Sequence, residues 1–282
     1  MCLEKVIIHI GLHKTGTTFL QNTVYPNILN ADYYRGWDGL NKIVSGRKEY
    51  VIISDEKLSG DPFDKKVCYL DSFKYSITNL QKLLPNAIIL VTVREPKNWI
   101  SSVYKQHIHQ GGTLKPEDFF SLQTPFLRKE DVQLREKIEF LKNTFSTIKV
   151  LESNKLNNIE YLIEFLRGLN LQIDKQKIIA MRVTNGNSNV GIKYTSQLNF
   201  LRQFNAMNDY FSKTFKFPSL YSNSKYIRLF RKVFPFTPRK ICQRYSFLFS
   251  KRSEIRIPQN YLDANIEWME KDWNWVKTNC ND

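Results

Sequence analysis

At 282 residues the chain is long enough for one large α/β domain or two small ones, and at 42% hydrophobic and 24% charged it has the composition of a globular protein rather than of a disordered, fibrous or low-complexity one. A mean hydropathy of −0.41 and the lack of any apolar run of about twenty residues exclude a membrane-spanning helix. Lys and Arg (42) outnumber Asp and Glu (27) for a formal charge of +15, which calls for an anionic partner: nucleotide, nucleic acid, acidic glycan or membrane surface.

The first predicted element is the run Lys5-Val6-Ile7-Ile8-His9-Ile10, short, β-branched and almost continuously apolar, as in a strand covered on both faces. It stops at Gly11. From Thr17 the spacing of Phe19, Leu20, Thr23 and Val24 is helical, and Pro26 is expected to close that helix. A second strand is read at Tyr50–Ile53, ending in Ser54-Asp55-Glu56, and a helix end at Leu80–Leu84. Ala87–Val93 is the strongest strand signal. Pro96 opens a helix with Trp99, Val103 and Tyr104, Lys137–Phe145 is helical, Thr147–Leu151 is a strand, and Ile159–Leu169 is an amphipathic helix. Beyond about residue 190 the pattern is mostly helical.

Strands alternating with helices predict an α/β fold: a P-loop-like parallel sheet flanked by helices, with a mostly helical C-terminal part. No long linker or repeat interrupts it, so one domain is expected over 1–282, with a nucleotide-binding core at 1–190 and a basic helical part at 191–282. In such a sheet the site lies beyond the carboxyl ends of the strands, where Gly11–Thr18, Ser54–Glu56 and Arg94 should gather.

Gly11-Leu12-His13-Lys14-Thr15-Gly16-Thr17-Thr18 joins the first strand to the first helix. A glycine-bearing loop at a helix start aims backbone N–H groups and the helix dipole at one point, which suits an oxyanion. Lys14 adds a point charge and Thr17 and Thr18 add hydroxyls. A nucleoside-triphosphate P-loop has lysine directly after its second glycine. Here Lys14 precedes Gly16 by two, which is the wrong register for a kinase.

The Lys-Thr-Gly-Thr-Thr register after a first strand resembles the 5′-phosphosulfate loop of sulfotransferases that use 3′-phosphoadenosine 5′-phosphosulfate (PAPS). Val93-Arg94-Glu95-Pro96 through Ser102 is similar to that family's 3′-phosphate motif, with Arg94 at a strand end and Ser102 eight positions on. Ser102-Val103-Tyr104-Lys105-Gln106 with Gly111-Gly112, the Leu151-Glu152 segment and, more weakly, Asn185–Ser188 resemble the bacterial carbohydrate-directed branch. The resemblance is good over 5–20 and 88–112, fair to about 205 and poor beyond. It implies sulfuryl transfer from PAPS to a hydroxyl acceptor, with a carbohydrate expected, leaving adenosine 3′,5′-bisphosphate. It also implies that Lys14, Thr15, Gly16, Thr17 and Thr18 meet the 5′ end and Arg94 and Ser102 the 3′-phosphate. No metal is implied.

Sulfuryl transfer to an alcohol needs a base near the acceptor and a cation near the leaving phosphate. Glu56, after the second predicted strand, is the first candidate base, although Ser54-Asp55-Glu56 also reads as a helix cap. His13, beside Lys14, and His107 and His109 are the alternatives. His9, inside an apolar strand, reads as a buried structural histidine. Rival readings are an ATP/Mg²⁺ phosphotransferase and a non-catalytic polyanion-binding protein.

The charge excess is concentrated in residues 225–256, with ten basic side chains against one acid, Glu254. Two short amphipathic stretches there, parted by Pro235 and Pro238, leave two readings open. They are helices packed on the body with solvated basic faces, or they form a surface for an acidic glycan or a membrane carrying lipid-linked sugars. Nucleic acid is not the expected partner, because no recognition module or stacking motif accompanies the charge. Trp268, Trp273 and Trp275 read as core. Cys2, Cys68, Cys242 and Cys280 lie far apart without ligand spacing, and no signal sequence precedes the first strand. Reduced thiols and a cytoplasmic location are therefore expected, peripheral at the inner membrane surface if the basic stretch meets lipid.

Overall fold

The structure, a computed structural model, describes residues 5–36, 48–64, 67–123, 125–186, 195–215 and 257–280. The basic stretch 225–256, Cys2, Cys242, Asn187 and Ser188 lie outside the described residues. The chain groups into two compact units, one of residues 1–99, 127–188 and 266–282, the other of residues 100–126 and 189–265.

The first unit holds a five-stranded sheet, β1 (Lys5–Gly11), β2 (Ala31–Arg35), β3 (Tyr50–Ser54), β4 (Ile88–Val93) and β5 (Thr147–Glu152), in the order β2-β3-β1-β4-β5. Every pairing is parallel. The expected fold class is the one observed. β1 lies at the centre, in register with β3 (His9 opposite Ser54) and β4 (Gly11 opposite Thr92).

Alternate strand residues feed two cores, as the period of a strand requires. Ile8, Ile10, Ile89, Val91 and Val93 pack with α2 (Tyr69–Leu83), α6 (Leu134–Thr144) and the last helix, α10 (Gln259–Asn279), which contributes Trp273 and Val276. Ile7, Ile52, Leu90 and Leu151 pack on the other face. Their partners are Leu20 and Val24 of the run that starts as α1 (Thr17–Phe19), together with α7 (Ile159–Arg167) and Ile178 of α8 (Lys175–Gly186). Side chains fully removed from water on both faces supply the main drive for this layering. Trp273 is core as expected, Trp275 packs against its edge, and Lys129 lies over the Trp268 ring.

Two sequence expectations change. A further strand without a local sequence pattern, β2, forms the sheet edge, so the Tyr50 strand is third in the chain and Glu56 follows β3. The first helix does not end at Pro26. It passes through a π-helical turn, Leu20–Val24, into a 3-10 turn, Tyr25–Asn27, whose first positions accept the proline because they need no backbone donor.

The second unit takes most of α3 (Pro96–His109), α4 (Pro116–Phe119), α9 (Thr195–Phe215) and the start of α10. The short α5 (Lys129–Val132) belongs to the first unit. In the second unit Asn205 Nδ2 donates to the Ile108 and Gly112 carbonyls at 2.8 and 2.9 Å. An aromatic cluster of Tyr104, His107, Phe119, Phe120, Phe126 and Tyr261 fills its interior. No helix among the described residues is long and apolar enough to cross a membrane.

Candidate active site

The loop after β1 is held in a conformation that few residues tolerate. Lys14 sits at φ 65° and Gly16 at φ 91°, left-handed geometry that is uncommon for a residue with a side chain and is found where the surrounding structure enforces it. Lys14, Gly16 and Thr18 face solvent, whereas Thr15 and Thr17 turn inward. The helical run begins at Thr17, and its Phe19 and Leu20 N–H groups donate to the Gly16 carbonyl at 3.0 and 3.3 Å, which leaves only the Thr17 and Thr18 N–H groups without an intrahelical partner. A Cβ on Gly11 would overlap the Thr17 hydroxyl, and one on Gly16 would stand 2.5 Å from Leu156 Cδ1. The Thr17 hydroxyl is itself buried with no hydrogen-bond partner among the described residues. A buried hydroxyl without a partner costs free energy unless a ligand supplies one.

Beneath the loop lies a line of buried polar side chains. Thr15 Oγ1 donates to the Leu12 carbonyl and lies 2.7 Å from Thr92 Oγ1. Thr92 Oγ1 is 3.2 Å from His9 Nε2, and His9 Nδ1 is 2.7 Å from Ser54 Oγ. Gln21 Nε2 donates to both the carbonyl and the hydroxyl of Ser54 at 3.1 Å. His9 is the buried histidine that was expected, and burial pushes its imidazole down to about 3, so it is neutral at any ordinary pH. The Thr15 hydroxyl is engaged inward. Its expected role at the anion is thereby narrowed to its backbone N–H.

The end of β3 divides its acids between two tasks. Asp55 is the cap of the 3-10 turn Glu56–Ser59, its carboxylate accepting from the Lys57 N–H at 3.0 Å. Glu56 is free of that task. Its Oε2 lies 3.6 Å from His13 Nδ1. His13 Nε2 donates to the Gly60 carbonyl at 2.9 Å, and Trp99 Nε1 donates to the His13 carbonyl at 2.6 Å. Ser59 Oγ, at 3.2 Å from the Gly11 carbonyl, ties the same turn to the loop's start.

Arg94, half-buried after β4, donates from Nη1 to the Lys14 carbonyl at 3.4 Å. Burial works against its charge, but a guanidinium stays protonated. Ser102 lies buried on the stretch of α3 that belongs to the second unit. After β5, Lys155 and Glu152 form an ion pair at 2.6 Å, and Leu156 between the strand and α7 packs over Gly16. The sequence reading did not single out Lys155, Trp99, Ser59 or Gln21. Lys155 follows a strand end by three residues, a position that could have drawn attention to it.

These strand ends meet where a doubly wound sheet accepts ligands. The helical run after β1 packs on one face and α2, after β3, on the other, the arrangement in which a doubly wound sheet takes ligands beyond its strand ends. His13, Lys14 and Glu56 stand there. The structure brings together Lys14, Thr15–Thr18, Arg94, His13 and Glu56 in one unit. It can hold an anion on backbone and cations, and it offers a half-exposed carboxylate beside it.

His107 is buried against Phe119 and Phe126, under Gly112, whose Cβ position its ring would occupy. Among the described residues no group of three or more His, Cys, Asp or Glu is arranged to hold a metal ion.

No protein family matches the chain, and no curated protein does. Among solved structures, the chain is similar to a sulfotransferase from Alicyclobacillus acidocaldarius, at 12% identity and a TM-score of 0.44, over 62% of this chain and 85% of that one.

Proposed function

We propose that the protein transfers a sulfuryl group from PAPS to a hydroxyl, releasing adenosine 3′,5′-bisphosphate, and that the acceptor is a carbohydrate. One observation carries this reading. A left-handed Lys14 loop, an arginine bonded to that loop's backbone and a carboxylate facing the loop's own histidine occur together at one sheet edge. The residues fit a 5′-phosphosulfate. Left-handed Lys14 and Gly16 turn the backbone tightly, and the Thr17 hydroxyl lacks a partner that an anion's oxygen would supply.

In this reading the backbone amides and hydroxyls of Thr17 and Thr18 hold the 5′-phosphate. Lys14 offsets the charge that develops on the bridging oxygen as the sulfur–oxygen bond breaks. Arg94 presents its fork to the 3′-phosphate. Ser102 keeps its share of that role on the sequence spacing alone. Glu56 takes the proton of the acceptor hydroxyl. His13, whose Nε2 donates to the Gly60 carbonyl, stands with Nδ1 3.6 Å from that carboxylate and steers it. An acidic or lipid-linked glycan contacted by residues 225–256, and a cytoplasmic location, complete the proposal on sequence grounds.

The test is calorimetry of the full chain with adenosine 3′,5′-bisphosphate, AMP and ATP with Mg²⁺, followed by transfer of labelled sulfate from PAPS to a panel of glycans. The bisphosphate should bind best. Equal affinity for AMP would remove the 3′ site, and preference for ATP with Mg²⁺ would favour the phosphotransferase reading.

A further inference from the structure

The buried polar line beneath the loop has a single consistent direction. Thr15 gives its proton to the Leu12 carbonyl, so the hydrogen bond between the two threonines must be donated by Thr92. Thr92 can then only accept from His9, which places the imidazole proton on Nε2. His9 Nδ1 must accept, and Ser54 Oγ is the donor. Ser54 in turn accepts from Gln21. Every proton in the line is assigned, and only the neutral Nε2–H imidazole closes it. All its members are buried, so a broken link leaves a polar group without water to replace it.

We propose that His9 is a positioning residue for the anion loop: as the Nε2–H tautomer it couples β3 and the first helical run to residues 12–16 through Thr92 and Thr15. Arg94 fixes the outer side of the loop at the Lys14 carbonyl, and the line fixes its inner side at the Leu12 carbonyl. Between these two anchors Lys14 is kept in its left-handed conformation. The consequence for sulfuryl transfer rests on the proposed function, but the coupling itself does not.

Glutamine and asparagine separate the two halves of the ring. The amide of His9→Gln reaches the place of Nε2 and keeps the bond to Thr92, whereas that of His9→Asn reaches only the place of Nδ1. Hydrogen exchange of the amides of residues 12–18 is measured on the unliganded full chain, and then bisphosphate affinity by calorimetry. His9→Asn should speed loop exchange and weaken the bisphosphate by about tenfold, the scale of a buried hydrogen bond left unmade. His9→Gln should stay within about threefold of the parent, because it retains the bond to Thr92. Thr92→Val cuts the line one step further on and should match His9→Asn, which keeps the test decisive if one variant folds poorly. Equal behaviour of His9→Gln and His9→Asn, or unchanged loop exchange in Thr92→Val, overturns the proposal. If the parent protein does not bind the bisphosphate, the proposed function falls, and the exchange rates alone decide the role of His9.

Discussion

His13 Nδ1 and Glu56 Oε2 face each other at 3.6 Å, one from the loop after β1 and the other from the turn after β3. The other ring nitrogen of His13 is held by the Gly60 carbonyl, so the ring cannot turn away without losing a hydrogen bond. On the proposed function, Glu56→Gln should lower sulfuryl transfer by about 10²- to 10⁴-fold while bisphosphate affinity stays unchanged, since the amide keeps the shape but cannot take a proton. His13→Ala should cost less, because it removes the group that aims the carboxylate and not the carboxylate itself. Single-turnover rates with saturating PAPS check both, and an unchanged rate in Glu56→Gln would move the base elsewhere.

Lys14 and Arg94 should respond differently to truncation. Lys14→Ala should cut turnover by roughly a hundredfold or more with a smaller loss of product affinity, because its charge meets one that exists mainly in the transition state. Arg94→Ala should weaken bisphosphate binding by about ten- to a hundredfold, the worth of a charge-assisted contact. It should also lower turnover, because the bond to the Lys14 carbonyl goes with it. Steady-state kinetics paired with calorimetry separates the two effects.

The close approach of Gly11 to Thr17 predicts a steric variant with a specific rescue. Gly11→Ala puts a methyl into the Thr17 hydroxyl and should cost about 1–3 kcal/mol of stability, as overpacking in a tight interior does. Adding Thr17→Ala should recover part of that loss while leaving anion binding impaired. Urea midpoints and bisphosphate titrations report the two quantities separately.

Lys137 gives the fold a pH signature. It is fully buried, and its Nζ donates to the carbonyls of Glu130, Asp131 and Gln133 at 3.1, 2.8 and 2.8 Å. Burial pushes the ammonium down to about 8 from an ordinary 10.5, with Asp131 and Asp272 opposing the shift. Between those two values the unfolded chain binds more protons than the folded one, so stability rises with pH there, and the cost of the buried charge is fully present below about 8. The neighbouring Cys68 thiol and Tyr69 phenol are pushed up by burial and act in the opposite sense, the thiol from about 8 upward, where an ordinary thiol begins to ionise. In a Cys68→Ser background, urea midpoints should therefore increase from pH 8 to 9 and lose that slope on adding Lys137→Met.

The parts of the fold that the amino-acid pattern discloses are those with local causes. β1, β4 and β5 are apolar runs, Gly11 and Gly16 punctuate the loop, and Pro96 opens a helix. β2 escapes because Ala-Asp-Tyr-Tyr-Arg, at a half-exposed edge, has neither alternation nor an apolar run. The body of α2 could have been read, since Tyr69, Phe73, Ile77 and Leu80 repeat at helical spacing. The polar line beneath the loop could not. His9, Ser54 and Thr92 meet through strand registers that join distant residues, and no local pattern says which polar residue of one strand faces which of another. The inward turn of Thr15 follows from the same distant partner, Thr92. Glu56 was legible as a candidate, but its release from capping depends on Asp55 taking that place.

The central position of β1 also has a consequence for the order in which the molecule is made. The strand that carries the loop leaves the ribosome before both of its neighbours, with His9 waiting for Ser54 across 45 positions and for Thr92 across 83. Until β4 has emerged, the nascent β1 has one open edge and an apolar face without cover, the condition in which incomplete chains pair wrongly or bind chaperones. Non-local pairings of this length slow folding. The site would then mature abruptly when β4 docks, and the yield of active protein should depend on the speed of translation through the segment between Asp55 and Val93.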